Sequence, residues 1–212
     1  MNSDLPTVYL HVKELNSLSP KQKLIFKAAL QLFAQNGFAS TSTQQIANEA
    51  KVSEGTLFKK FGNKRELLIA IIRPLALEFL PDNPNDFLDP KKIKLKDFVF
   101  SFINSQVRFI ERNILPVQIL IKEIIYNQEI SDIFISWIPA QKINALNKVF
   151  NLLKENDQLV NWPNPDILRF LLTEMIGYVA QHYFLICESD WDDLSEMTRI
   201  INFTVKGLTP EP

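Results

Sequence analysis

Apolar residues recur at helical spacing along almost the whole chain, and the two-residue alternation of a strand is never sustained between turn residues. The pattern predicts an all-α protein. In the first third, hydroxyl or amide residues able to cap free backbone N–H groups are followed three positions later by Gln or Glu, the mark of a helix start. Ser19, with Pro20 and Gln22, opens a helix over about 20–36 that buries Ile25, Ala28, Ala29, Leu32 and Phe33, and Gly37 supplies its stop. Ser42 with Gln45 opens a second over about 43–50, and Ser53 caps a third over about 54–61. Asn63 with Glu66 opens a fourth that runs past Pro74 to about 80.

Three prolines within Pro81–Pro90 cannot continue a helix and mark a linker. Beyond it the pattern predicts core helices over 91–112 and 116–127, and another over 130–155 that Pro139 must kink or divide near Trp137. After a break at 161–165, Asn164 caps and Pro165 begins a helix of about 22 residues, apolar right around through Ile167, Phe170, Leu171, Met175, Ile176, Val179, Tyr183 and Phe184. Such a helix must be covered on two sides. One side faces its own core and the other a partner chain, with Met175 and Val179 taken as interface positions. A last helix, from Asp190 through Trp191 to Val205, lies alongside. The resulting domains are an N-terminal extension (1–18), a three-helix head (19–62), a connecting helix (63–80) and a larger helical domain (81–212).

Composition narrows the function. With 212 residues, 46% hydrophobic and 22% charged, the chain forms one or two packed domains. The net charge of −1 hides an asymmetry: residues 1–80 carry 10 Lys and Arg against 6 Asp and Glu, and residues 81–212 carry 13 against 18. The N-terminal third, which contains the head, is the basic one, so the charge signal is local. The run Lys91, Lys92, Lys94 and Lys96 starts a helix and is expected to be solvated. Cys187 with His11 and His182 makes too few ligands for a four-coordinate zinc site, so neither metal nor cofactor is expected, and His182 is expected to be a hydrogen-bonded core or interface residue. There is no nucleophile elbow, glycine-rich phosphate loop or Glu-x-x-His pair, so an enzyme is not expected. The start of the chain lacks a signal-peptide layout, and the longest uncharged apolar run, Met175–Cys187, has 13 residues against roughly 18 for a bilayer span. A cytoplasmic protein is expected.

The second and third helices are joined by Lys51, Val52 and Ser53, which is helix-turn-helix spacing. So short a joint makes the helices cross steeply, with Val52 in the angle and Ala47 permitting close approach. The third helix then offers Glu54, Gly55, Thr56, Lys59 and Lys60, small and basic groups suited to a major groove.

Residues 26–68 resemble the tetracycline-repressor (TetR) family of bacterial transcription regulators. The blocks LFAQNGF, TSTQQIA and VSEGTLFKKFGNKRELL each lie close to the family pattern and in its order. The resemblance implies that Ser42, Thr43 and Gln44 meet phosphate, that Glu54, Thr56, Lys59 and Lys60 face the groove, and that Lys64 grips the DNA backbone. Phe58 stands where the family commonly has Tyr, so it joins this interface without a phenolic hydroxyl. Lys51 stands where the family usually has Gly, and a left-handed backbone there costs on the order of 1 kcal/mol. The resemblance further implies a homodimer built on four helices, two from each chain, presenting both third helices to a palindromic operator in double-stranded DNA. It also implies a repressor released by a small apolar or aromatic effector. Candidate effector-binding residues are Phe98, Phe102, Phe109, Tyr126, Trp137, Met175 and Tyr178. The alternative is a helical protein-interaction module without DNA binding, which would give no salt-dependent shift of duplex DNA.

Overall fold

The computed structural model describes residues 5–9, 17–81, 93–185 and 193–211, which contain ten α-helices and no strand. His11, the linker residues 82–90, Lys91, Lys92, Cys187, Asp190 and Trp191 lie outside the described residues. The helices are α1 (Pro20–Asn36), α2 (Thr43–Glu49), α3 (Glu54–Phe61), α4 (Lys64–Glu78), α5 (Leu95–Arg112), α6 (Ile114–Tyr126), α7 (Gln128–Trp137), α8 (Ala140–Glu155), α9 (Asn164–Ala180) and α10 (Asp193–Leu208). None is long and apolar enough to cross a membrane.

The four caps read from the first third of the sequence, Ser19, Ser42, Ser53 and Asn63, are in place. Ser19 and Ser42 each form a reciprocal capping box, with Gln22 and Gln45, and Asn63 accepts from the Glu66 N–H at 2.8 Å. Pro139 divides rather than kinks its segment, because Ile138 leaves helical geometry ahead of it and α8 begins afresh at Ala140. Asn164 differs from its expected role. The cap is Pro163, and the Asn164 side chain instead links α9 to α8, accepting from Lys154 Nζ at 2.6 Å and donating to Asn151 Oδ1 at 3.1 Å. A turn of π-helix, Gln181–Leu185, follows α9.

Contacts group the chain into two compact units that do not follow chain order: Met1–Phe79 with Glu111–Pro139, and Leu80–Ile110 with Ala140–Pro212. The first unit joins the three-helix head and α4 to α6 and α7, although the linker reading assigns those last two helices to the larger domain. Its core runs through Ile25, Phe26, Phe33, Ile46, Leu57, Leu67, Leu68, Ile71 and Ile72, all fully buried. Pro74 lacks the N–H that would complete the α4 ladder. Beside that gap, the carbonyl of Ile71 accepts a bond from the Tyr9 hydroxyl at 2.9 Å. Tyr9 packs edge-on against Phe26, and burial pushes its phenol well above the ordinary value. Asn113, fully buried ahead of α6, does not cap that helix; its Oδ1 accepts from the Val8 N–H at 2.8 Å and the Thr7 hydroxyl at 3.3 Å. Thr7, Val8 and Tyr9 of the N-terminal extension are therefore part of the unit they precede.

The second unit holds α5 up to Ile110, α8, α9 and α10. Phe98, Phe102 and Phe150 form its aromatic centre, with Phe98 meeting Phe150 edge-on at 5.8 Å between ring centroids. Gln158 pins the start of α5, accepting from the Leu95 N–H at 3.0 Å and donating to the Ile93 carbonyl at 3.1 Å.

Candidate nucleic-acid interface

The joint between α2 and α3 is held by backbone bonds from the Lys51 N–H to Asn48 O at 3.1 Å and the Val52 N–H to Ala47 O at 3.0 Å. Closing it puts Lys51 in the left-handed region at φ 54°, the strained conformation that the missing glycine implied. Val52 is half-buried in the angle, and fully buried Leu57 fastens α3 to the core.

The residues expected at the DNA interface separate into engaged and open groups. Ser42 Oγ accepts from the Gln45 N–H at 3.1 Å, while Gln44 is exposed beside it. The Thr43 hydroxyl donates to the Glu54 carboxylate, a bond that ties the first turns of α2 and α3 together. This accounts for an acid in a basic head: Glu54 orients α3 against α2, and it lies at the end of α3 where the helix dipole favours negative charge. Thr56 Oγ1 lies 3.0 Å from Ser53 Oγ. Gly55 is exposed, and a Cβ there would meet Ser53 Oγ no nearer than 3.9 Å. Phe58 is 42% exposed, so it is not a packing residue alone. Lys59 and Lys60 are exposed in the last turn of α3, and Gly62 ends that helix at φ 73°.

Because nothing crowds Gly55, Gly55→Ala is expected to raise the stability of the head by up to about 1 kcal/mol through helix propensity. If the α3 backbone approaches DNA there, affinity falls as stability rises. Thermal unfolding and a duplex titration on the same variant read the two effects.

Lys64 departs from the expected phosphate grip. Its ammonium is turned inward, donating to the carbonyls of Phe38 and Thr41, both at 2.8 Å, and standing 4.3 Å from the Phe38 ring centroid. The free carbonyls of the α1–α2 loop attract it, since an unbonded buried carbonyl is costlier than a solvated one. Lys64→Met is expected to destabilise the head by about 1–3 kcal/mol. A lowered unfolding midpoint fits this internal role, whereas an unchanged midpoint with a flatter salt dependence of DNA binding would return Lys64 to the phosphates.

Two further charges in the unit were not singled out from sequence. Lys122 Nζ donates to the Ala34 carbonyl at 2.6 Å, bringing a cation to the end of α1, whose last turn has none. Burial raises the Glu123 carboxyl, offset in part by a bond from the Phe38 N–H and by the Lys64 charge. The available signal was a Lys-Glu pair interrupting the apolar run of α6.

The candidate effector residues divide between the units. Phe98, Phe102, Met175 and Tyr178 are buried in the second and Phe109 is half-buried there. His182 stacks on Tyr178 at 5.8 Å. Trp137 belongs to the first unit, under the Arg73 guanidinium at 5.8 Å. Tyr126, at 89% exposed, lines no interior: it ends α6 where the chain turns at Asn127. Gln106, absent from the sequence-based set, is a polar side chain in the second core at 2% exposed.

Residues 25–71 match the family model described as bacterial regulatory proteins, tetR family. An uncharacterised HTH-type transcriptional regulator of Bacillus subtilis is 46% identical over 55 residues, covering 26% of this chain and 19% of that protein. The fatty acid metabolism regulator protein of the same organism is 30% identical over 77 residues, covering 36% and 40%. These alignments span less than half of either relative. A bacterial regulatory protein of the tetR family from Rhodococcus RHA1, 16% identical, superposes with a TM-score of 0.68 over 92% of this chain and all of that one, a likeness of fold.

Proposed function

We propose, from the premise that the helix-turn-helix segment of this chain is that of a tetR-family regulator, that the whole protein is a transcriptional regulator that binds double-stranded DNA as a homodimer. The observation that carries this reading is α3 itself: anchored by Leu57 and braced by Thr43–Glu54, it holds Lys59 and Lys60 outward in solvent. Side chains free to release counterions from phosphate are what such a reader needs. Gln44, Thr56 and Phe58 complete the surface around them, with Ser42 and Gly55 setting how near the backbone comes.

Two-fold symmetry places two copies of α3 on an inverted repeat about one helical turn apart. The dimer surface lies on α9 and α10, where Ile176 is 46% and Phe203 68% exposed. Met175 and Val179, first assigned to the interface, are buried within their own unit. An apolar effector bound in the second unit releases the operator, which makes the protein a repressor, and an alkyl chain suits the Phe98–Phe102–Phe150 interior. Selection of bound duplexes from a random library tests the reading. An inverted repeat is the expected product, and recovery of no preferred duplex at low salt favours a protein-interaction module instead.

A further inference from the structure

Residues 98, 102, 106 and 110 form one ridge of α5 at four-residue spacing, all buried. Three are Phe98, Phe102 and Ile110; the fourth is Gln106. Its Nε2 reaches the neighbouring Ser105 hydroxyl at 3.4 Å, and its Oε1 has no hydrogen-bonding partner among the described residues. Turning the amide over exchanges which end is unmatched without matching both. A carbonyl left this way in an apolar core is unfavourable, and an apolar side chain of similar size would avoid the cost. Charge in the same unit is committed elsewhere: Lys142, its buried cation among the described residues, donates to the Leu80 carbonyl at 2.6 Å. No buried carboxylate occurs in this core among the described residues.

We propose that Gln106 is the polar anchor of an effector that is uncharged and mainly apolar, with a hydroxyl or amide N–H that bonds the Gln106 carbonyl. The proposal rests on the effector reading above and specifies its chemistry. A carboxylate would bring a negative charge to a carbonyl oxygen while Lys142, the buried cation of this unit among the described residues, is bonded to Leu80, and an ammonium would meet no buried carboxylate among those residues; both lose most of their hydration on burial. A hydroxyl both donates and accepts, so it satisfies the amide in either orientation.

The test uses the full chain and three probes of one chain length: 1-octanol, octanoate and octylammonium, followed by isothermal titration at neutral pH. The expected result is saturable 1-octanol binding at least about tenfold tighter than either ion, the value of one hydrogen bond in an apolar site. Gln106→Leu is expected to abolish that preference and to raise the unliganded unfolding midpoint by about 2–4 °C; Gln106→Met serves if the branched side chain does not fit. Equal or tighter binding of either ion overturns the proposal. So does a lowered midpoint in both variants, which would make the amide a structural element. If none of the probes binds while the duplex shift persists, the effector chemistry is wrong and the DNA-binding reading stands.

Discussion

Replacing Lys59 and Lys60 together with Ala is expected to lower affinity for duplex DNA at least about 100-fold at physiological salt, because charge-assisted bonds contribute about 1.5–3 kcal/mol each. The slope of log affinity against log salt should flatten by about two units, one for each phosphate contact removed. Both side chains are exposed on α3, so the unfolding midpoint should move little. A pair variant with unaltered slope would locate the DNA contacts on a different face of the head, with Lys51 as the next cation to examine.

Charge placed on the exposed faces of α9 and α10 should act just as strongly by another route. Ile176→Glu combined with Phe203→Glu is expected to yield folded monomers, since each substitution puts a carboxylate where a symmetry mate must dock and so adds desolvation to like-charge repulsion. Losing the linked second head lowers DNA affinity by about 10²–10⁴ through effective concentration alone. Met175→Glu supplies the contrast. That residue is fully buried in its own unit, so an unpaired carboxylate there should unfold the chain and leave no soluble monomer. Sedimentation of the variants distinguishes the cases, and a double variant that still sediments as a dimer would remove Ile176 and Phe203 from the interface.

The head was legible because its information is local. Capping pairs such as Ser42 and Gln45 lie three residues apart, and the short joint at Lys51–Ser53 sets the crossing of two helices without help from the rest of the chain. Pro139 likewise announced its break. What could not be read lies in contacts between distant residues. Nothing local says that Asn113 gives up capping to hold Val8, that Lys64 turns toward Phe38 and Thr41, or that Thr43 and Glu54 satisfy each other. The all-round apolar pattern of α9 called for cover on more than one side, and within the single chain Phe170 and Ile176 remain exposed. It could not say which residues faced inward, because Met175 and Ile176 differ by one position and a helix turns about 100° between them.

The interleaving of the first unit bears on how the protein is made. Val8 and Asn113 are bonded across 105 residues of sequence, and Arg65 on α4 pairs with Glu129 on α7. During synthesis α1 through α4 leave the ribosome well before α6 and α7, the helices that pack on α1 and α4. For that interval the nascent head presents bare apolar flanks, the species that associate wrongly or engage chaperones. Such long-range closure also slows folding relative to a bundle of sequence neighbours. A stop codon after residue 80 would therefore release not a small autonomous DNA-binding domain but an unfinished one.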